Sequence, residues 1–217
     1  MYVRNRMTSN PCCITKDTAI STALDIMADH GFHRLPVVEG KHLVGLVTEG
    51  LISEHTPSKA TSLSIYELNY LLSKTKCDTV MIKNVITISP DVLLEEAAVV
   101  MRKNRVGCLV VVENDEVVGI ITHNDIFDAF VDLLGYYEAG TRYVIEVTED
   151  KPGILAEVAE CFFDQQAIIT NLAVYHYPGI VDIVIRARDA EAGVMKQLLT
   201  TRGFNVVSVL ENKKTVA

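Results

Sequence analysis

The chain has 217 residues, 49% of them hydrophobic and 22% charged, a composition typical of a globular protein long enough for one or two domains. Its formal net charge of −8 at pH 7 disfavours nucleic acids and anionic membranes as partners, because both carry charge of the same sign. Residues 2–6 lead into no apolar segment and the sequence contains no run of 18 apolar residues, so we expect a cytoplasmic protein.

The five cysteines predict reduced thiols, because an odd number without a C-x-x-C pair does not form a disulfide framework. Cys12 and Cys13 are neighbours and could form a redox couple, but the start of a buried strand explains both sulfurs better. Cys108 lies on an apolar face and is expected in the core. His30 and His33 have helical spacing without a third ligand, so we expect no metal site.

A single offset of 74 residues aligns 7–52 with 81–126 without a gap. The two stretches are identical at 14 of 46 positions, and about a third of the other pairs are apolar in both copies. Two copies of one fold that pack against each other form a cleft along their pseudo-twofold axis. The positions at which the copies differ therefore carry the most information about function.

Each copy predicts a β-α-β-β-α unit. Apolar residues at i, i+3, i+4 and i+7 predict an amphipathic helix in both copies, at Ile20, Ala23, Leu24 and Met27 and at Leu94, Ala97, Ala98 and Met101. Two β-branched runs follow in each copy and are separated by polar hairpin turns; they cover 35–38 and 43–48, then 108–112 and 117–122. The second copy closes with a helix that ends near Gly135.

A further helix is expected between the copies, over about 62–75. Ser64 and Glu67 have the spacing of a capping box, in which each side chain bonds to the backbone amide of the other residue. The polar residues 58–62 that precede this helix predict a loop.

The pattern changes after Gly135. Residues 136–141 have no apolar period and predict a linker, and a strand with alternating apolar residues follows over 143–148. The elements from there on have the order β-α-β-β-α-β, which is the order of a ferredoxin-like fold with four antiparallel strands under two helices. We therefore expect a first domain over 1–135, with repeats at about 7–55 and 79–135, and a second domain over 142–212.

Two motifs in the duplicated region resemble those of a CBS pair, or Bateman module. Both copies carry Gly-hydrophobic-x-Thr after the second hairpin strand, at 45–48 and 119–122, and the first copy carries His-Arg-Leu-Pro at 33–36. The Asp-x-Pro-Gly-x-Leu turn at 150–155, with the strand order around it, resembles an ACT domain. A CBS pair followed by an ACT domain is similar to the AcuB family of acetoin-utilisation proteins. The resemblance implies an α+β fold class with tandem CBS repeats and a C-terminal ferredoxin-like ACT domain.

The resemblance also implies an adenosine-nucleotide site in the central cleft. The family's ribose-binding motif, Gly-hydrophobic-x-[Ser/Thr]-x-x-Asp, is complete in the second copy with Thr122 and Asp125, whereas Leu51 replaces the acid in the first copy. A carboxylate can accept hydrogen bonds from both ribose hydroxyls. Asp125 alone could instead cap a helix.

The phosphate side of the implied site shows the converse asymmetry. His33 and Arg34 of the first copy match the basic pair that reaches phosphate in relatives, and the second copy has Gly107 and Cys108 there. Together these positions imply one good nucleotide site per chain, in which the base faces the backbone of Val106, Gly107 and Cys108. The ligand expected is AMP, ADP, ATP or a related adenosyl compound.

The ACT resemblance implies a possible amino-acid site. ACT relatives often bind amino acids where a helix begins after the Pro-Gly turn, because the free backbone amides there suit a carboxylate. Many ACT domains serve only to dimerise, so both alternatives stay open. The candidate residues are Asp150, Gly153, Ile154, Leu155 and Asn171.

No catalytic signature is found: P-loop, G-x-G, G-x-S-x-G and H-E-x-x-H patterns are absent from the sequence. The sequence therefore predicts a non-catalytic regulatory protein without a cofactor, which senses an adenosine nucleotide and forms a homodimer or higher oligomer. The alternative is a ligand-free homodimeric scaffold that docks onto a metabolic enzyme or transporter. The client protein is unknown under either hypothesis.

Overall fold

The computed structural model describes residues 1–56, 64–148 and 151–212. Its contacts divide the chain into two compact units, Met1–Ile126 and Phe127–Ala217. The loop predicted over 58–62 and the candidate residue Asp150 lie outside the described residues.

The first unit contains both copies of the duplicated region. Its elements are β1 (Thr8–Ser9), α1 (Ile20–His30), β2 (Arg34–Glu39), β3 (His42–Thr48), α2 (Glu49–His55), α3 (Ile65–Lys74), β4 (Thr87–Ile88), α4 (Leu94–Asn104), β5 (Cys108–Glu113), β6 (Glu116–Thr122) and the start of α5 (His123–Leu133). The helix and the two hairpin strands predicted for each copy are confirmed. The structure divides the chain inside α5, whereas the sequence predicts a boundary after Gly135.

Local signals in the sequence account for the ends of these elements. α1 stops at Gly31, whose φ of 67° suits a residue without a Cβ. Ser64 and Glu67 form the predicted capping box at the start of α3. The β5–β6 turn passes through Asn114 and Asp115, both with positive φ (50° and 64°), as the twist of a tight hairpin requires.

The opening segment of each copy pairs with the hairpin of the other copy. β1 of the first copy is antiparallel to β6 of the second, with Thr8 opposite Ile120. The 74-residue offset maps this pair onto Ile82 and Leu46, which form the corresponding antiparallel bridge. In the resulting sheet the strand order is β1-β6-β5-β4, so β6 lies between β1 and β5. The sequence predicts the hairpins but not this crossed pairing.

Two glycines make the crossed pairing possible. A Cβ on Gly119 would lie 2.5 Å from Sδ of Met7, and a Cβ on Gly45 would come within 2.5 Å of Sδ of Met81. All four residues belong to identical positions of the two copies. The Gly-hydrophobic-x-Thr motif therefore begins with glycine because a methionine from the other copy packs directly on that backbone.

The second unit contains one four-stranded antiparallel sheet. Its elements are the end of α5, β7 (Gly140–Val147), α6 (Ile154–Asp164), β8 (Ile168–Tyr177), β9 (Ile180–Arg188), α7 (Ala192–Thr201) and β10 (Asn205–Asn212). The strand order is β10-β7-β9-β8. Tyr143 of β7 and Phe162 of α6 are fully buried at the centre of the core, with their rings edge to face at 5.4 Å. Within the described part of the chain, every helix is too short or too polar to span a bilayer.

We expect Gly119→Ala to lower the free energy of unfolding by about 1–3 kcal/mol, since the new methyl group overpacks the contact with Met7 and the strand must shift. Urea denaturation followed by circular dichroism measures this. Gly50→Ala is the matched control, because nothing lies within 4 Å of a Cβ at that helical position. Adding Met7→Ala should recover part of the loss, and equal stability of Gly119→Ala and Gly50→Ala would contradict the crossed contact.

Candidate functional site

The first unit carries two clefts that the 74-residue offset relates to each other. The Thr122 cleft has a volume of about 210 Å³ and is lined by Thr8, Pro11, Cys12, Gly31, Phe32, His33, Arg34, Ile120, Thr122 and Asn124. The Thr48 cleft has a volume of about 520 Å³ and is lined by His33, Arg34, Leu46, Thr48, Glu49, Gly50, Ile82, Asn84, Val85, Ile86, Val106, Gly107 and Cys108. Both clefts take one wall from each copy, which follows from the crossed pairing.

The structure divides the predicted nucleotide-binding residues between these clefts. His33 and Arg34 line both clefts, Thr122 lines the Thr122 cleft, and Val106, Gly107 and Cys108 line the Thr48 cleft. That all of them face one ligand stays a prediction, which the separation of Thr122 from 106–108 does not support. Because β6 lies between β1 and β5, the start of β5 opens on the opposite side of β6 from the first copy's opening segment.

The sequence reasoning missed which residues replace 106–108 in the Thr122 cleft. Phe32, His33 and Arg34 are their counterparts in the first copy, and Pro11 and Cys12 correspond to Val85 and Ile86 of the Thr48 cleft. The signal was available in the sequence, since the offset of 74 maps 106–108 onto 32–34. Using it, however, requires knowing that each cleft combines the end of one copy with the beginning of the other.

Asp125 is not among the residues that line the Thr122 cleft, but it is hydrogen-bonded to Thr122, which does line it. Its Oδ2 accepts hydrogen bonds from the backbone amide and the hydroxyl of Thr122, both at 2.7 Å. Asp125 therefore helps to cap α5, which is the alternative role suggested for it from the sequence. Its Oδ1 has no hydrogen bond to any described residue, so the carboxylate is held in place with one oxygen available.

The first copy keeps the helix cap and lacks the acid. Thr48 Oγ1 accepts a hydrogen bond from the amide of Leu51 at 3.1 Å, which starts α2. Leu51 occupies the position of Asp125 and offers no acceptor. The two clefts therefore share their backbone geometry and differ in polar chemistry.

The basic pair behaves asymmetrically as well. Nδ1 of His33 lies 2.8 Å from Oε2 of Glu49, and both side chains are exposed. Arg34 is half-buried, and its guanidinium has no hydrogen bond or ion pair to the described residues. An unpaired guanidinium at a cleft wall is suited to a phosphate or carboxylate, which it can bind through two parallel hydrogen bonds.

Size and chemistry favour different clefts. The Thr48 cleft lies in the usual range for small-molecule pockets, whereas the Thr122 cleft is smaller. The chemistry favours the Thr122 cleft, because Leu51 offers no acceptor at the position that Asp125 occupies beside Thr122.

Comparison with known proteins agrees with the duplicated architecture. A model of the CBS domain matches residues 3–55 and 77–132, which together make up half of the chain. The chain belongs to the CBS-domain family. The first unit is therefore a CBS pair, and its two clefts are the inter-repeat clefts of that pair.

Relatives with enzyme names share only part of their length with this chain. A homoserine O-acetyltransferase from Methanosalsum zhilinae is 34% identical over 115 residues, which are 52% of this chain and 20% of that enzyme. An inosine-5'-monophosphate dehydrogenase from Korarchaeum cryptofilum is 24% identical over 190 residues, 83% of this chain and 35% of that enzyme. The chain thus spans about a third or less of the length of these relatives.

Two solved structures resemble the CBS pair. One, named for acetoin utilization (AcuB) from Vibrio cholerae, has a TM-score of 0.53 and 28% identity, and covers 62% of this chain and 93% of that one. The other is the CBS domain pair of protein MJ0100 in complex with 5'-methylthioadenosine and S-adenosyl-L-methionine, with a TM-score of 0.50 and 25% identity, covering 61% of this chain and 97% of that one. That CBS pair binds adenosine derivatives.

The candidate residues of the second unit do not gather at one place. Gly153, with φ of 93°, precedes α6, and Ile154 lines a polar cleft of about 320 Å³ there. Leu155 is partly exposed on the first turn of α6. Asn171 lies elsewhere: it pairs with Arg186 on β9, and its Nδ2 donates to the carbonyl of Leu133 at 2.9 Å.

Strand alternation explains why Asn171 is separated from the start of α6. Ile185 and Ala187 of β9 face the core that α6 covers, so Arg186 and its neighbour Asn171 point to the opposite face. Arg186 is only 7% exposed, and a cavity of about 10 Å³, the size of one water site, lies beside the two side chains. Asn171 therefore has a structural role in this unit, and its place in an amino-acid site stays a prediction.

The thiols of the CBS pair differ in their surroundings. Burial raises the pKa of Cys77 to about 11. Burial also raises the pKa of Cys108, and the Arg34 guanidinium opposes that shift. Cys12 is partly exposed at the Thr122 cleft.

We expect iodoacetamide at pH 8 to alkylate Cys12 first and Cys77 at least about a hundredfold more slowly, because only the thiolate reacts and Cys77 is both buried and protonated. Peptide mapping by mass spectrometry measures each site. Denatured protein is the control, in which all five cysteines should react alike. Labelling of Cys77 as fast as Cys12 in the native protein would contradict the buried environment of Cys77.

Proposed function

We propose that this chain is a non-catalytic regulatory protein whose CBS pair senses an adenosine-containing nucleotide in the Thr122 cleft. The observation that carries the proposal is that Thr122 of the second copy lines one cleft with His33 and Arg34 of the first. A ligand there touches both copies. It can therefore favour one arrangement of the pair over another, which is what a sensor requires.

Each part of a nucleotide has a counterpart among these residues. Asp125 offers Oδ1 to the ribose hydroxyls while Thr122 holds its other oxygen. Arg34 offers an unpaired guanidinium to the phosphate. Pro11 and Phe32 provide apolar walls for the base. This assignment replaces the 106–108 backbone that the sequence suggests for the base.

The relatives support an adenosine ligand more than a particular one. The MJ0100 pair holds two adenosine derivatives that lack phosphate, whereas Arg34 favours a phosphorylated ligand here. CBS domains are generally regulatory, and this chain corresponds to only a minor part of the enzymes it resembles. The enzyme activities of those relatives are therefore not assigned to it.

We propose that the second unit is an ACT-type domain with a ferredoxin-like fold. Its β-α-β-β-α-β order and its strand order β10-β7-β9-β8 support this. The polar cleft at the start of α6 is lined by Lys151, which suits a carboxylate, and by Glu146, which suits an ammonium group. This arrangement supports an amino acid as the second signal.

Self-association is part of the proposal. α5 exposes Phe127, Phe130 and Leu133 by 61%, 58% and 66%. The three side chains are spaced three residues apart and form one apolar stripe. Stripes of this kind mark interaction surfaces, and a twofold homodimer is the simplest closed way to cover one.

A thermal-shift and calorimetric screen with AMP, ADP, ATP, NAD, S-adenosylmethionine and cyclic di-AMP tests the nucleotide site. We expect Asp125→Ala to weaken binding of the best ligand by about tenfold or more, because a charged hydrogen bond contributes about 1.5–3 kcal/mol. Asp128→Ala, one turn further along α5, is the matched control and should leave affinity unchanged. Bound ligand should also protect Cys12 from alkylation.

Failure of every ligand to bind would reject the nucleotide sensor and favour the ligand-free scaffold. Binding that Asp125→Ala does not weaken, or that leaves Cys12 unprotected, would move the ligand out of the Thr122 cleft.

We expect Phe130→Asp to convert a homodimer to a monomer, because it places a charge in the apolar stripe. Light scattering coupled to size-exclusion chromatography gives the mass directly. Tyr66→Asp, at an 84% exposed position on α3, is the control and should remain dimeric. A dimer that persists in Phe130→Asp would place the interface elsewhere.

A further inference from the structure

Arg34 lies at the wall of both clefts of the CBS pair. His33 does so too, but its imidazole is engaged by Glu49 at 2.8 Å. Arg34 has no hydrogen bond or ion pair to the residues that the structure describes. Among the described lining residues of the two clefts, it is the only arginine or lysine.

Because Gly107 has no side chain, the guanidinium of Arg34 lies close to the backbone of residue 107, which lines the Thr48 cleft. A Cβ on Gly107 would lie 2.9 Å from Nη2 of Arg34 and 3.1 Å from Nδ1 of His123. The same position in the first copy is His33. The second copy therefore carries no basic side chain at position 107. The guanidinium of Arg34, from the first copy, lies in the space that a side chain there would fill.

The Thr48 cleft consequently contains a cation, Arg34, although the second copy has Gly107 and Cys108 at the positions of the basic pair. Cys108 occupies the position of Arg34 in the second copy, so that copy supplies no cation to either cleft. Arg34 and Cys108 both line the Thr48 cleft, and the charge of Arg34 opposes the rise that burial causes in the pKa of Cys108. One cation thus faces two clefts.

We infer that Arg34 is the shared anion contact of both clefts, so that a phosphorylated adenosine ligand in one cleft weakens binding of a second one in the other, while uncharged adenosine fills the clefts independently. The inference rests on the proposed nucleotide-sensing function. A guanidinium that binds one phosphate through two hydrogen bonds has little left to offer a second. Occupancy of the two clefts by phosphorylated ligands is then coupled through one guanidinium, so the two sites do not fill independently.

Equilibrium dialysis of the full chain with AMP and, separately, with adenosine tests this. We expect one AMP per chain, with a second bound only at concentrations about a hundredfold higher or more, because the second cleft lacks both the acid and a free guanidinium. Adenosine should bind twice per chain with a gap of only about tenfold, which follows from Leu51 in the place of Asp125. Arg34→Met should weaken the first AMP by about tenfold or more and reduce the gap for AMP to that for adenosine, without changing adenosine binding.

Two further variants keep the test decisive if Arg34→Met folds poorly. Gly107→Ala places a methyl group against the guanidinium and should weaken the second AMP about tenfold. Arg102→Met, on the exposed side of α4, is the charge-matched control and should change neither ligand.

The outcomes separate the inference from the function on which it rests. A gap for AMP no wider than the gap for adenosine in the natural sequence, or one that stays wider in Arg34→Met, would overturn the shared contact while leaving nucleotide sensing intact. Binding of neither AMP nor adenosine would reject the sensor and the inference together.

Discussion

Each half of the CBS pair is completed by a segment from the other half, and this crossed pairing is the constraint on which the rest of the first unit depends. Thr8 pairs with the second hairpin, and Ile82 forms a bridge to the first. The methionine that precedes each of these residues lies directly on a glycine of the facing hairpin. Because a Cβ at either glycine would hold the strands apart, the duplication is maintained by close packing at two equivalent points.

The same crossing explains why the clefts are built from both copies. Each cleft combines the end of one hairpin, where a helix begins at a capping threonine, with the opening segment of the other copy. A ligand bound there bridges two halves that are otherwise joined by strand pairing and core contacts. The free energy of ligand binding in such a cleft depends on how the two halves are arranged. The proposed sensing function relies on this dependence.

The two copies differ in the polar residues that they carry near the clefts. The acid is kept at Asp125 and lost at Leu51, whereas the basic residues are kept at His33 and Arg34 and lost at Gly107 and Cys108. These differences are complementary, since Thr122, which holds Asp125, lines the same cleft as Arg34 of the other copy. In the second unit, Asn171 donates a hydrogen bond to the carbonyl of Leu133, where α5 ends.

The sequence by itself determined the duplication, the helices and hairpins of each copy, the α3 capping box and the residue types available for binding, because these depend on local periodicity and on spacing along the chain. Only the tertiary structure decided which residues share a cleft. The sequence could not place 106–108 or Asn171 relative to the other candidate residues for the same reason: which side of a strand a residue faces, and which strand lies beside it, are set by pairing between distant segments. That pairing also decided that Arg34 stands between two clefts, a position that no motif in the sequence records.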